Sequence, residues 1–498
     1  MSISHEPIKA VSAARGAILT VGMRWSDRLI GLISTLILAR LLLPDDFGIV
    51  AMASIVVGLI DTLLDLGVGS ALVQNKAAGR DDFDTAWTLR LIQAALAAGL
   101  IWAAAPFAAD YFRDPRVINV IRVMAFSVLA GGFENIGIVA FQKNMEFGRD
   151  FQFFFLRRLL GFLVTMALAL WWRSYWAMAI GALTGRCLGA LLSYRLHDYR
   201  PRLSLARLKK IWSFSQWILV CNLGSFGQQQ IDKFLVGRRG DAATLGMYTL
   251  ANEIAAMPTT ELLAPLGRVL FPLFVDAAHD PLRLKAAFCK ALGIQSLVAM
   301  PAGVGLCLIA DGAVRLLLGE QWLSAIPLMR ILALISVFAA LTHSSSYLLL
   351  ALGKVRVQAF LAWIQFATLA FLGIACFPEA DAQGIASIRL ATTALGLLIL
   401  VALVLHHVRQ LRIGDFIASA WRPAVATGLM ALALGLLPAL HGLPLIVGLL
   451  VSIIAGALAY ALGLLLLWRC SGCAEGAESY LLEQLRMKDR VRRWMGVE

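Results

Sequence analysis

Apolar runs of roughly 20 residues recur from one end of this chain to the other, and that recurrence permits very few folds. A run of that length crosses a bilayer core of about 30 Å as a helix. Lipid offers no partners to backbone polar groups, so the segment must pair its own. Runs bounded by charges or Pro/Gly turns fall at 15–41, 47–72, 84–106, 117–141, 151–171, 175–196, 212–236, 245–270, 285–310, 325–350, 355–377, 384–406, 421–440 and 443–468. The expected fold is therefore an all-α polytopic membrane protein with about 14 transmembrane helices. Of 498 residues, 60% are hydrophobic and 15% charged, which leaves no stretch polar enough for a separate aqueous domain. The net charge of +13 is spread over short loops and does not form a nucleic-acid-binding face.

Loop charge sets the expected orientation. One set of alternate loops, with the termini, holds about 25 Lys and Arg and the opposite set about 7, which predicts both termini in the cytoplasm. The longest basic connection follows the sixth run and carries Arg195, Arg200, Arg202, Arg207, Lys209 and Lys210. It reads as a linker at 201–211 between a lobe at 1–200 and a second lobe at 212–408. Two C-terminal helices at 409–468 and a cytoplasmic amphipathic tail at 469–498 follow. A short repeat supports two pseudo-symmetric six-helix lobes. Leu38-Ala-Arg40, then Gly48 and Ala53, is echoed by Val236-Gly-Arg238, then Gly246 and Ala251. Parallel repeats of this kind place a substrate path between the halves. Gly181, Gly185 and Gly189 recur every fourth residue on one helix face and admit a close neighbour. Pro258, Pro265 and Pro301 are expected to break their helices. The pair Cys470 and Cys473 stands without a second pair or a nearby His, too little for a metal site.

Charges inside apolar runs are costly and normally face a water-filled cavity or each other. The first half carries Arg24, Asp27, Arg28, Asp61, Asp65, Arg90, Glu134, Arg157, Arg158 and Arg186. The second carries Asp232, Lys233, Glu253, Glu261, Lys290 and Arg389. Arg24 shares a helix face with Asp27 and Arg28, and Asp61 with Asp65. Structural ion pairs such as Asp27–Arg28 and Asp232–Lys233 are the alternative to a functional role. Arg24 and Arg90 have no obvious local acid, and Arg157 and Arg158 sit where they could snorkel to the interface. A positive balance of arginines suits an anionic substrate, because guanidinium forks onto phosphate oxygens. No nucleophile–base arrangement, phosphate-cradling Gly-rich loop or His/Asp/Glu metal cluster stands out, so no enzyme activity and no cofactor are expected.

Leu38-Ala-Arg-Leu-Leu-Leu-Pro-Asp-Asp-Phe-Gly-Ile-Val50, Asp65-Leu-Gly-Val-Gly-Ser-Ala-Leu-Val-Gln74, Phe83-Asp-Thr-Ala-Trp-Thr-Leu-Arg90 and Tyr111-Phe-Arg-Asp-Pro-Arg116 carry a family resemblance. Over these residues the chain resembles the O-antigen and exopolysaccharide flippases (Wzx-like) of the polysaccharide transporter family. That family belongs to the exporter superfamily that also holds multidrug extruders and lipid II flippases. The resemblance implies the fold shared by those transporters. It implies undecaprenyl-diphosphate-linked oligosaccharide as substrate, moved between leaflets of the bacterial inner membrane for polysaccharide export. Arg24, Arg28, Arg90 and Arg186 would then meet the pyrophosphate. Asp27, Asp61, Asp65, Glu134, Asp232, Lys233 and Glu253 would couple to H⁺ or Na⁺, or balance the arginines. A polysaccharide polymerase and chain-length proteins are the implied partners, with no nucleic acid. The competing expectations are a cation-coupled multidrug exporter, a membrane glycosyltransferase or polymerase, and a structural scaffold.

Overall fold

The computed structural model describes residues 6–65, 72, 79–144, 146–206, 208–436, 444–472 and 478–479, with backbone alone at 6–21, 24, 208–221, 264, 265 and 268. The regular structure of the described residues is all helical, without strands. Packing divides the chain into two compact units, Met1–Gly246 and Met247–Glu498.

The first unit contains α1 (Glu6–Leu41), α2 (Pro44–Leu64), α3 (Arg80–Phe112), α4 (Val117–Gly132), the short α5 (Val139–Lys143), α6 (Phe147–Trp172), α7 (Trp176–Leu196) and α8 (Leu208–Arg239). It also takes the first turn of α9 (Ala242–Ala277). The division lies beyond the linker expected at 201–211, because α8 packs on α2 and α3.

Proline and aspartate start α2. Pro44 occupies the first turn, where its missing N–H costs nothing. The Asp46 carboxylate accepts a hydrogen bond from the Leu43 N–H at 3.0 Å and another from the Tyr175 N–H at 2.9 Å. One side chain thus caps its own helix and holds the α6–α7 turn beside it. Arg116 completes this end, donating to Asp45 at 2.7 and 3.0 Å and to Asp114 at 2.7 Å. At the opposite end the chain after α7 is strapped onto α3. Buried Asp84 accepts from the Tyr199 hydroxyl at 2.6 Å and the Arg202 N–H at 2.8 Å, and Thr88 Oγ1 accepts from the Ser204 N–H at 2.9 Å.

The repeated glycines meet. A Cβ on Gly48 would lie 1.7 Å from the Ala242 carbonyl oxygen, and one on Gly246 1.9 Å from that of Pro44. The starts of α2 and α9 therefore touch backbone to backbone, reciprocally, as related segments would. The glycine stripe of α7 works as its spacing predicts. Gly181, Gly185 and Gly189 receive Thr165, Gly161 and Arg157 of α6 in turn.

The second unit holds the rest of α9, α10 (Pro281–Leu317), α11 (Ile326–Ala351), α12 (Val355–Phe371), α13 (Ala382–His407), α14 (Ile413–Leu436) and α15 (Leu445–Cys470). Asp280 caps α10, accepting from the N–H groups of Leu282 and Arg283 at 2.9 and 3.2 Å. Phe274, Phe288, Leu348, Val404 and Phe416 lie in its apolar core. Arg422 and Glu478 form a buried pair at 3.2 Å that ties the start of the tail to α14. The remainder of the expected amphipathic tail lies outside the described residues.

Ten helices among the described residues are long and apolar enough to cross a membrane, or eleven counting one bent pair. The long helices α1, α8 and α9 occupy three further expected positions. The run expected at 117–141 is broken by a bend. The chain bends by 63° between α4 and the segment Ile136–Lys143. Asn135 makes the bend, its side-chain oxygen accepting from the Gly137 N–H at 2.9 Å in competition with the helix. The expected breaks at Pro258, Pro265 and Pro301 are corrected, since α9 and α10 run through them. A membrane helix tolerates the lost N–H when neighbours satisfy the freed carbonyl.

Candidate functional site

The bend after α4 creates the principal charged cluster. It turns Glu134 out of the helical ladder and into the unit, where its side chain is only 8% exposed. There Glu134 Oε2 accepts from Arg90 Nη2 of α3 at 3.2 Å and from Arg157 Nη1 of α6 at 3.3 Å. One carboxylate thus serves two guanidiniums, leaving a unit of positive charge. Arg157 reaches it because Gly189 gives way: a Cβ there would lie 2.6 Å from Arg157 Cδ. The same guanidinium lies 5.5 and 5.2 Å from the ring centres of Phe153 and Phe154.

Beside this cluster is a cavity of about 220 Å³, lined by Asp61, Leu64, Asp65, Arg90, Gln93, Ala94, Ala97, Val128, Gly131, Gly132 and Arg186. Its walls differ in sign. Arg90 and Arg186 come from α3 and α7, with Arg186 Nη1 3.6 Å from the Cβ position of Gly131. Asp61 and Asp65 come from the last turn of α2 and its C-cap, four residues apart and on one face. Gln93 Nε2 donates to the Leu64 carbonyl and so fixes the end of α2 against α3. A second cavity of about 270 Å³ opens on the other side of the same aspartates, between α2 and α8. It is lined by Asp61, Thr62, Asp65, Asn222, Ser225, Phe226 and Gln229.

Arg90, Arg186, Asp61, Asp65 and Glu134 are therefore brought together in one unit. Arg90 looked unaccompanied because its acid lies 44 residues away in sequence. Arg157, expected to sit where it could snorkel, belongs to the cluster. Among the described residues Asp27 makes no pair along its own helix. It meets Arg158 of α6 at 3.3 Å, with both side chains about half exposed, and Arg28 is exposed on the same helix. Neither Asp27 nor Arg28 lines the two cavities. The Arg24 side chain lies outside the described residues. Asp232 is buried and Lys233 half-buried, further along α8 than the second cavity. Glu253 is exposed in the second unit, where its neighbour Asn252 accepts from Arg389 Nη1 at 3.0 Å. Among the described residues no group of His, Cys, Asp and Glu is arranged to hold a metal ion.

A bundle of membrane helices enclosing charged, solvent-open cavities defines a transporter architecture, and comparison with solved structures gives the same fold. The lipid II flippase MurJ in an inward closed conformation aligns over 91% of this chain and 99% of its own, with a TM-score of 0.75 at 13% identity. An inward-facing multidrug transporter of the MATE family, from the MOP superfamily, aligns over 80% and 95%, with a TM-score of 0.61 at 15% identity. The chain belongs to the polysaccharide biosynthesis protein family, whose profile matches residues 37–327. Its relatives include the lipopolysaccharide biosynthesis protein WzxC of Escherichia coli, 26% identical over 379 residues and 75% of each chain. The succinoglycan biosynthesis transport protein ExoT of Rhizobium meliloti is 27% identical over 301 residues, 60% of this chain and 61% of its own.

Proposed function

We propose that this protein is a flippase that moves undecaprenyl-diphosphate-linked oligosaccharide from the cytoplasmic to the periplasmic leaflet of the inner membrane by alternating access. The observation that carries the reading is the arginine wall of the first unit. Arg90 and Arg157 share one glutamate, and Arg90 and Arg186 line the cavity beside it, an arrangement suited to a diphosphate. Family membership and the fold shared with a lipid II flippase support it. A pyrophosphate on the arginine wall leaves the sugars in the hydrated interior while the polyprenyl tail stays in lipid.

On this reading the protein binds and reorients its substrate without making or breaking bonds. Both termini face the cytoplasm, and the polymerase and chain-length proteins of the same polysaccharide are its partners. A proton or Na⁺ gradient supplies the drive, with Asp61 and Asp65 the carboxylates that line the cavity opposite Arg90 and Arg186. The test is polysaccharide export in cells whose only flippase is this protein. Arg90→Ala combined with Arg186→Ala, and separately Arg24→Ala, should abolish export while the protein still reaches the membrane. Export at the normal rate in the double variant, or a drug-resistance phenotype that replaces export in the unmodified protein, would overturn the proposal.

A further inference from the structure

The cavity between α2 and α8 differs in chemistry from its neighbour. Asn222, Ser225, Phe226 and Gln229 follow helical spacing and form one face of α8. Among the described residues no Lys or Arg lines this cavity, whereas two arginines line the adjoining one. Among the described residues, no hydrogen bond engages the side chain of Asn222, Ser225 or Gln229. Amides and a hydroxyl offer donors and acceptors in the pattern that vicinal sugar hydroxyls use. Phe226, held against Gly58 of α2 with ring carbon Cε2 3.1 Å from that glycine's Cβ position, adds an apolar platform for the C–H face of a ring. Its volume of about 270 Å³ falls below the roughly 300–1,000 Å³ that drug-sized ligands fill, and so suits one ring rather than a whole repeat unit.

Asp61 and Asp65 line both cavities, so a ligand on the arginine wall has its next group directly in front of the amide wall. We propose that the α2–α8 cavity is the subsite for the sugar joined to the diphosphate, and that it accepts a neutral or amino sugar and rejects a uronic acid. The two carboxylates accept hydroxyl or ammonium donors, and they repel a sugar carboxylate that cannot be neutralised there. This rests on the flippase reading, because the arginine wall must hold the diphosphate for the sugar to lie in this cavity.

Three probes test it in protein reconstituted in nanodiscs at fixed pH: short-chain polyprenyl diphosphate, its glucosyl derivative and its glucuronosyl derivative. The glucosyl compound should bind at least about tenfold more tightly than the glucuronosyl one. Asp61→Asn with Asp65→Asn should bring that ratio close to one. Asn222→Leu should weaken the glucosyl compound relative to the bare diphosphate, a readout independent of the aspartates. Equal affinity for both glycosides in the unmodified protein, or a ratio unmoved by the aspartate changes, overturns the sugar subsite while leaving the diphosphate reading intact. Failure of the bare diphosphate itself to bind overturns both.

Discussion

Glu134, buried in the first unit, holds two arginines with one carboxylate, which makes it the most consequential single side chain. Glu134→Ala would leave Arg90 and Arg157 facing each other without compensation. The expected loss of stability is about 2 kcal/mol, between the figures for exposed and buried pairs, and thermal unfolding in detergent measures it. Glu134→Asp should recover part of that loss, which a purely steric role would not predict. Arg113 and Arg173 end α3 and α6 with φ of 58° and 47°, in the left-handed region that favours glycine. Replacing either by Gly at this compatible geometry should raise stability by up to about 1 kcal/mol. His197, in the strap after α7, accepts from the Tyr199 N–H through Nδ1 at 3.0 Å. Burial holds its pKa below the ordinary value, outweighing Asp198 and Glu146, while Arg149 and Arg200 push the same way as burial. With a folded pKa below the unfolded one, the unfolded chain binds more protons, so stability falls as pH drops through about 6.5. Hydrogen exchange across 197–204 should therefore quicken between pH 7.5 and 5.5, and His197→Gln should flatten that dependence.

Elements meet where the sequence leaves room for them, and some of this was legible in advance. A spacing of four places Gly181, Gly185 and Gly189 on one helix face whatever the tertiary fold, so the closeness of α6 could be read directly. The repeated Gly48 and Gly246 marked corresponding turns, although their mutual contact became visible only in space. Adding a methyl group at either position would press on a carbonyl that cannot rotate away. Gly48→Ala and Gly246→Ala should each cost about 1–3 kcal/mol by the same unfolding measurement. The bend at 133–135 was not legible. Gly-Gly-Phe-Glu-Asn sits inside a long apolar run, and single-chain periodicity reports only neighbours three or four residues away. For the same reason Arg90 seemed to lack an acid that the bend supplies from 44 residues away. The prolines of α9 and α10 misled in the opposite sense, since a general propensity was overridden by packing.

For the whole molecule, hydrophobic run length fixed the helical membrane architecture, because lipid leaves the backbone almost no alternative. The charged runs indicated a polar interior, and the structure gathers five of the expected residues around two adjoining cavities. What the chain transports depends on those cavities, whose surfaces are assembled from helices far apart in sequence. On the proposed function, the protein alone carries a lipid-linked sugar across a bilayer. This is tested most directly in proteoliposomes holding a fluorescent polyprenyl-diphosphate oligosaccharide, by quenching with a membrane-impermeant reductant. Purified protein should expose the inner-leaflet pool to the reductant on the timescale of minutes, and Arg90→Ala with Arg186→Ala should slow this at least about tenfold, the factor for one lost charge-assisted contact. Quenching that stops at the outer leaflet, as in protein-free vesicles, would contradict the account.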